Sequence, residues 1–65
     1  MQLVRIGSLM MWNIKSSQDY GCMGLVISLW DSYNGLCFNI KWTDNSFTEY
    51  NIADIDDNNI KVVKF

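Results

Sequence analysis

The stretch CFNIKWTDNSFTEYNI, residues 37–52, alternates apolar and polar residues, breaks at a polar turn and then resumes. Before the break, Phe38, Ile40 and Trp42 share one face of an extended chain, which is typical of a half-buried antiparallel strand. The Asp-Asn-Ser break predicts a tight turn, with Asn45 in the left-handed conformation that Asn tolerates better than most residues. The stretch therefore predicts two neighbouring strands joined by a hairpin.

Outward from this hairpin, β-type patterns recur along the chain and no helical periodicity appears. Asn34-Gly35 predicts a type I′ hairpin turn, because both residues tolerate positive φ. Residues 13–21 are polar and predict a long irregular loop. Residues 52–55 are too few for an α-helix and predict one turn of 3₁₀-helix. The expected strands are residues 6–12, 24–31, 36–43, 47–51 and 60–65.

Five short strands without a long helix predict an all-β fold. We expect the sheet to close, or nearly close, into a barrel, because closure removes exposed strand edges. The 65 residues leave room for one core only, so residues 1–65 are expected to form a single domain. The predicted core consists of Leu9, Leu25 or Val26, Phe38, Ile40, Tyr50, Ile55 and Val62.

The order of these elements resembles that of the SH3-like small barrel, shared by SH3, Tudor and KOW-type domains. The segments VRIGSL (4–9), GCMGLVI (21–27), IKWTDN (40–45), IADI (52–55) and IKVV (60–63) resemble a recurrent set of small proteins encoded by tailed bacteriophages, cyanophage-like ones especially. Ser8 stands where that set usually has an acid, and Asn45 where it has a turn glycine. The resemblance implies a five-stranded SH3-like small barrel with one short 3₁₀ turn before the last strand.

Catalytic and metal-binding patterns are missing from the sequence. The chain has no histidine, which removes Ser–His and Cys–His pairs and most zinc sites. Neither Cys22 nor Cys37 has a cation beside it in sequence, which an activated thiolate requires. An acidic run from Asp54 begins like a calcium loop but has Asn59 at the position of the sharp-turn glycine. We therefore expect no enzyme activity, no metal, no cofactor and two reduced cysteines.

The charge balance disfavours nucleic acid as a partner. The net charge is −2, and the five basic residues are scattered, whereas phosphate binding depends on clustered Lys and Arg. A single-strand groove would have to be built from Lys15, Lys41 and Lys61. No apolar run approaches the roughly 20 residues needed to span a bilayer. No signal peptide is expected in residues 1–12, and the resemblance implies the host cytoplasm or the virion as the location.

Aromatic residues are the strongest functional signal. They are compatible with a Tudor-like cage for a methylated cation, with a protein–protein patch, or with simple capping of the barrel ends. The candidate interaction surface consists of Trp12, Tyr20, Trp30, Tyr33, Trp42, Asp44 and Phe47.

We expect a non-catalytic protein-interaction module. A virion decoration or connector-associated protein follows from the resemblance, and the alternative is an early phage accessory protein that binds a host regulator or single-stranded nucleic acid. An oligomer or assembly would supply burial that so small a domain lacks.

Overall fold

The computed structural model describes residues 4–64. They form mostly β-structure, with one five-stranded antiparallel sheet and one short helix. The strands are β1 Leu9–Trp12, β2 Met23–Ser32, β3 Gly35–Trp42, β4 Phe47–Asn51 and β5 Ile60–Lys64, and the helix α1 Ile52–Asp56 lies between β4 and β5. The spatial order is β4-β3-β2-β1-β5, so that β1 pairs with β2 on one side and with β5 on the other.

The strand predictions are confirmed except at the start of β1. β4 has the predicted bounds, and β2 and β3 each differ from prediction by one residue at either end. Residues 6–8 were expected in the first strand, but this is wrong because the chain turns there. Gly7 has φ 93, and the backbone N–H of Ser8 donates to the carbonyl of Arg5 at 2.9 Å. The last residue of the predicted fifth strand, Phe65, lies outside the described residues.

The two predicted hairpins both form, but one turn type is wrong. Asn45 has φ 69, as expected, and the turn is closed by the N–H of Trp42 donating to the carbonyl of Ser46 at 2.8 Å. In the β2–β3 hairpin only Gly35 has positive φ, whereas a type I′ turn also requires it at Asn34. The Ser32 hydroxyl accepts from the N–H of Asn34 at 3.2 Å, which favours a turn with Asn34 in an ordinary conformation.

The segment before β5 is an α-helix, so the prediction of a 3₁₀ turn is wrong. The side chain of Asn51 accepts from the N–H of Ala53 at 2.6 Å, and the carboxylate of Asp54 accepts from the N–H of Asn51 at 3.2 Å. This capping box satisfies N–H groups that a one-turn helix otherwise leaves open. The N–H of Asp57 then donates to the carbonyl of Ala53, which is the spacing of an α-helix.

The sheet does not close, which corrects the expectation of a closed or nearly closed barrel. Within residues 4–64, no ladder joins the outer strands β4 and β5. β4 runs directly into α1, which contacts both of these strands and buries Ile55. A helix that covers the open side protects the strand edges in another way than closure. No helix in this described range is long and apolar enough to cross a membrane.

The core lies between the inner face of the sheet and α1. Its buried apolar side chains are Val4, Met10, Val26, Phe38, Ile40, Ile55 and Ile60. The predictions of Phe38, Ile40 and Ile55 are confirmed, and Val26 rather than Leu25 is the buried residue of that pair. Tyr50 and Val62 are only partly buried against this core. Sequence reasoning missed Val4, Met10 and Ile60, and placed Leu9 in the core although it is only half-buried.

Candidate functional site

Three aromatic rings from three strands meet at one end of the inner face. They belong to Trp12 of β1, Trp42 at the end of β3, and Tyr50 of β4. The centroids of Trp12 and Trp42 are 6.5 Å apart with an interplanar angle of 87°, and those of Trp42 and Tyr50 are 6.2 Å apart at 89°. Trp12 and Tyr50 are 6.1 Å apart at 41°. We call these three rings the aromatic cluster.

Gly24 provides the space in which two of these rings approach each other. It lies in β2, paired with Met10 of β1 on one side and with Trp42 of β3 on the other. A Cβ atom at this position would lie only 2.9 Å from Cε3 of Trp42, so the indole covers the glycine. With no side chain between them, Trp42 reaches Trp12 across β2. The indole N–H of Trp42 donates to the hydroxyl of Thr48 at 3.3 Å.

A cavity of about 240 Å³ lies against the aromatic cluster. Its walls are completed by the loop between β1 and β2 and by the turn between β3 and β4. These segments contribute Asp19, Cys22, Thr43, Asp44 and Ser46, and β4 contributes Thr48. We call this cavity the aromatic pocket. It combines three rings with two carboxyl groups and has no basic side chain among its lining residues.

The pocket is electrostatically suited to a cation. The hydroxyl of Ser46 donates to Asp44 Oδ1 at 2.6 Å and its backbone N–H donates to the same atom at 3.0 Å. These bonds, the hydroxyl first, lower the pKa of Asp44 below its ordinary value of 3.8, so this carboxylate is ionised at neutral pH. Burial raises the pKa of Tyr50, which therefore stays a neutral phenol. The negative ring faces and the carboxylate attract positive charge together.

Trp12 is held in the cluster by packing rather than by its indole N–H. Its Nε1 atom is buried and has no hydrogen-bond partner among the described residues. An unsatisfied buried donor costs roughly 1–3 kcal/mol. The ring keeps this position because it packs against Trp42 and Tyr50 and covers the core.

The structure brings some of the predicted surface residues together and leaves the others apart. Trp12, Trp42 and Asp44 all line the aromatic pocket. Tyr20 is exposed in the β1–β2 loop, Tyr33 is fully exposed at the tip of the β2–β3 hairpin, and Trp30 and Phe47 lie on the outer face of the sheet, away from the core.

Sequence reasoning missed Asp19 and Thr48 and assigned Tyr50 to the core. The alternation of β4 does place Tyr50 on the inner face, where its ring packs on Phe38 at 6.2 Å. That Tyr50 lies at the edge of the core, beside Trp12 and Trp42, depends on how the strands are ordered in the sheet, and the alternation of β4 alone does not show this. Asp19 reaches the pocket through an irregular loop, for which the sequence offers no geometric signal.

The described residues form neither a metal-binding group of side chains nor a disulfide. Within residues 4–64, no three Cys, Asp or Glu side chains come together in a group able to hold a metal ion. Cys22 is exposed, Cys37 is buried, and both thiols are free.

Replacing Ser46 by alanine is expected to raise the pKa of Asp44 toward its ordinary value, because the largest stabilising bond to the carboxylate is lost. A carboxyl group with a lowered pKa stabilises the fold above the unfolded value and loses that effect as pH falls through the folded value. The pKa is measured by NMR titration of the Asp44 carboxyl carbon below pH 5, with Ser28→Ala on the outer face as control. An unchanged Asp44 titration in Ser46→Ala would contradict the assigned cause.

Comparison of the chain with protein-family models, with curated proteins and with solved structures found no match.

Proposed function

We propose that this chain is a non-catalytic protein-interaction module whose aromatic pocket receives a cationic side chain of a partner protein. The observation that carries the proposal is the convergence of Trp12, Trp42 and Tyr50 beside Asp19 and Asp44 around one cavity. Aromatic residues dominate interaction hot spots, and ring faces attract cations within about 6 Å of their centroids. Two rings at right angles whose centroids are 6.2 Å apart can both lie within that distance of one cation.

The same geometry favours a protein over a nucleic acid as the partner of this pocket. A phosphate would approach the ionised Asp44 and the carboxyl group of Asp19, and no lysine or arginine lines the cavity to oppose them. Single-strand binders combine stacking rings with a positive groove. The pocket has the rings without the positive groove, so a protein partner suits it better.

We further propose that the fold is of the SH3-like type, as the sequence resemblance implies. Support comes from the strand order β4-β3-β2-β1-β5, from the long loop between β1 and β2, and from the one-turn helix before β5. The association with a tailed-phage virion, as a decoration or connector-associated protein, rests on the resemblance alone. Mass spectrometry of purified particles tests it, and absence of the protein from the particles would favour the alternative of an early accessory protein.

The pocket is tested with small probes of defined charge. Tryptophan fluorescence of the intact chain is followed during titration with butylammonium, choline and the water-soluble neutral isostere of choline, 3,3-dimethylbutan-1-ol. We expect the two cations to bind and the neutral compound to bind at least about threefold more weakly, as the lower range of cation–π energies implies. Equal binding of the neutral compound would show that the pocket is only an apolar depression.

Variants connect the signal to the proposed residues. Trp42→Leu and Asp44→Asn are expected to weaken cation binding, because one removes a ring face and the other a negative charge. Asp44→Asn keeps the oxygen that accepts from Ser46, so the turn is preserved. Trp30→Leu, a change of the same kind on the outer face, is the matched control and is expected to leave binding unchanged. Loss of binding in Trp30→Leu alone would move the site to the outer face.

A further inference from the structure

The outer face of the sheet carries a second surface, opposite in charge to the aromatic pocket. It consists of apolar residues from β1 and β2 beside two lysines of β5: Leu9, Met11, Met23, Leu25, Lys61 and Lys64. Lys61 lies opposite Met11, which lies opposite Met23, in the regular part of the ladder. Lys64 lies opposite Leu9, which lies opposite Leu25, beyond a register shift between Leu9 and Met10. Direct partners in a sheet point to the same side. We call this surface the lysine face.

The lysine face is exposed, and no ion pair within residues 4–64 neutralises its charges. Leu25 is 49% exposed, and both β5 lysines are exposed. In the part of the chain that the structure describes, neither Lys61 nor Lys64 forms an ion pair. Glu49 is an acid that also faces outward, but it lies in β4 opposite Asn39 and is not part of the lysine face. The lysines therefore remain available to an acidic partner surface.

We propose that the occupant of the lysine face is the aromatic pocket of a second copy of this chain, with Lys61 or Lys64 as the cation that enters it. This inference rests on the proposed function and names the partner of that site. The two surfaces are complementary in charge: ammonium groups on one, the carboxyl groups of Asp19 and Asp44 on the other. An unmethylated ammonium also has N–H groups to donate to these carboxylates, which a quaternary ammonium lacks.

The contact has to be head-to-tail. If two copies faced each other through the same surface, lysine would meet lysine or carboxylate would meet carboxylate, and like charges repel. Because the pocket lies at the end of the inner face and the lysine face is on the outer face, each copy keeps one surface free after one contact. Such heterologous contacts build rings or open chains of copies. Docking would also cover apolar area of Leu25 and its neighbours.

The test is the molecular mass of the intact chain in solution. In sedimentation experiments at about 50 mM NaCl, the weight-average mass is expected to rise with protein concentration up to about 1 mM. Raising NaCl to about 500 mM is expected to weaken association at least about tenfold, because salt screens exposed charges. A monomer at every concentration in low salt would overturn the proposal.

Charge variants identify the surfaces. Lys61→Glu and Lys64→Glu are each expected to weaken association, and the double variant by at least about tenfold, which corresponds to 1.4 kcal/mol. Lys15→Glu is the matched control, since it makes the same change of charge on an exposed loop lysine. An equal effect of Lys15→Glu would show that net charge, and not the lysine face, drives association.

Mixing two inactive variants tests the head-to-tail arrangement. Lys61→Glu/Lys64→Glu retains the pocket, and Asp19→Asn/Asp44→Asn retains the lysine face. Each is expected to be monomeric alone, and the mixture is expected to form one-to-one dimers that do not grow further. A mixture that stays monomeric would overturn the arrangement. Circular dichroism of each variant confirms that it is folded.

The probe titrations separate this inference from the proposed function. If butylammonium binds the pocket while the chain stays monomeric, the inference falls and the proposed function stands. If butylammonium does not bind and association is unaffected by Asp19→Asn/Asp44→Asn, both fall. Association that butylammonium inhibits competitively supports both.

Discussion

Replacing Phe38 by alanine is expected to remove a large part of the protein's free energy of unfolding, and all of it if the fold is stable by only about 3–5 kcal/mol. Phe38 is completely buried at the centre of β3, opposite Leu29 of β2 and Tyr50 of β4. Truncating a buried phenylalanine costs about 3–5 kcal/mol, because apolar burial is lost and a cavity remains. Domains are stable by about 0.05–0.15 kcal/mol per residue, which for this chain gives roughly 3–10 kcal/mol. The loss is therefore comparable with the whole free energy of unfolding.

Urea unfolding followed by circular dichroism measures the effect. Phe47→Ala is the matched control, because Phe47 is 61% exposed and lies on the other face of the sheet. Its truncation is expected to change the free energy of unfolding by about 0.5 kcal/mol or less. A loss below about 1 kcal/mol for Phe38→Ala would contradict the assignment of Phe38 to the centre of the core.

Replacing Gly24 by alanine is expected to destabilise the sheet and to disturb the aromatic pocket at the same time. The added Cβ would lie 2.5 Å from Cγ2 of Ile40, 2.9 Å from the carbonyl oxygen of Lys41 and 2.9 Å from Cε3 of Trp42. Two of these atoms belong to side chains, but the carbonyl belongs to the backbone of β3. Relief therefore requires that β2 and β3 move apart, and overpacking of this kind costs about 1–3 kcal/mol.

Two measurements on Gly24→Ala separate these effects. The urea midpoint reports the free energy of unfolding, and near-ultraviolet circular dichroism reports the packing of Trp42 against Trp12. Leu25→Ala, at the next residue of the same strand, changes an outward-facing side chain and is expected to leave the near-ultraviolet spectrum unchanged. An unaltered spectrum in Gly24→Ala would show that Trp42 does not depend on the missing side chain.

The local pattern of the sequence was sufficient for most of the sheet, since alternation and turn residues are read from neighbouring positions. The hairpin around Asn45 illustrates this, because its polar turn and positive φ follow from the residue types themselves. The prediction that the sheet closes was wrong because it did not foresee the helix α1. The capping box formed by Asn51 and Asp54 gives this segment one turn of α-helix, which covers the open side between β4 and β5.

The aromatic pocket was only partly predictable for a related reason. Trp12, Trp42 and Asp44 were recognised by residue type, but their meeting depends on the pairing of β1, β2 and β3 around Gly24. Gly24 reads in sequence as an ordinary strand residue, and nothing near it indicates a close approach of the Trp42 ring. Asp19 is placed by an irregular loop whose path is set by tertiary contacts.

The pairing of β1 with β5 has a consequence for how the chain reaches its fold. β2, β3 and β4 follow one another through tight turns, so they can pair while only the middle of the chain is organised. β1 can pair on its second side only with β5, residues 60–64, which are distant from β1 in sequence. Closing so long a loop is entropically unfavourable, and topologies rich in distant contacts fold slowly. A nascent chain in which residues 60–64 have not yet been synthesised therefore leaves one side of β1 unpaired.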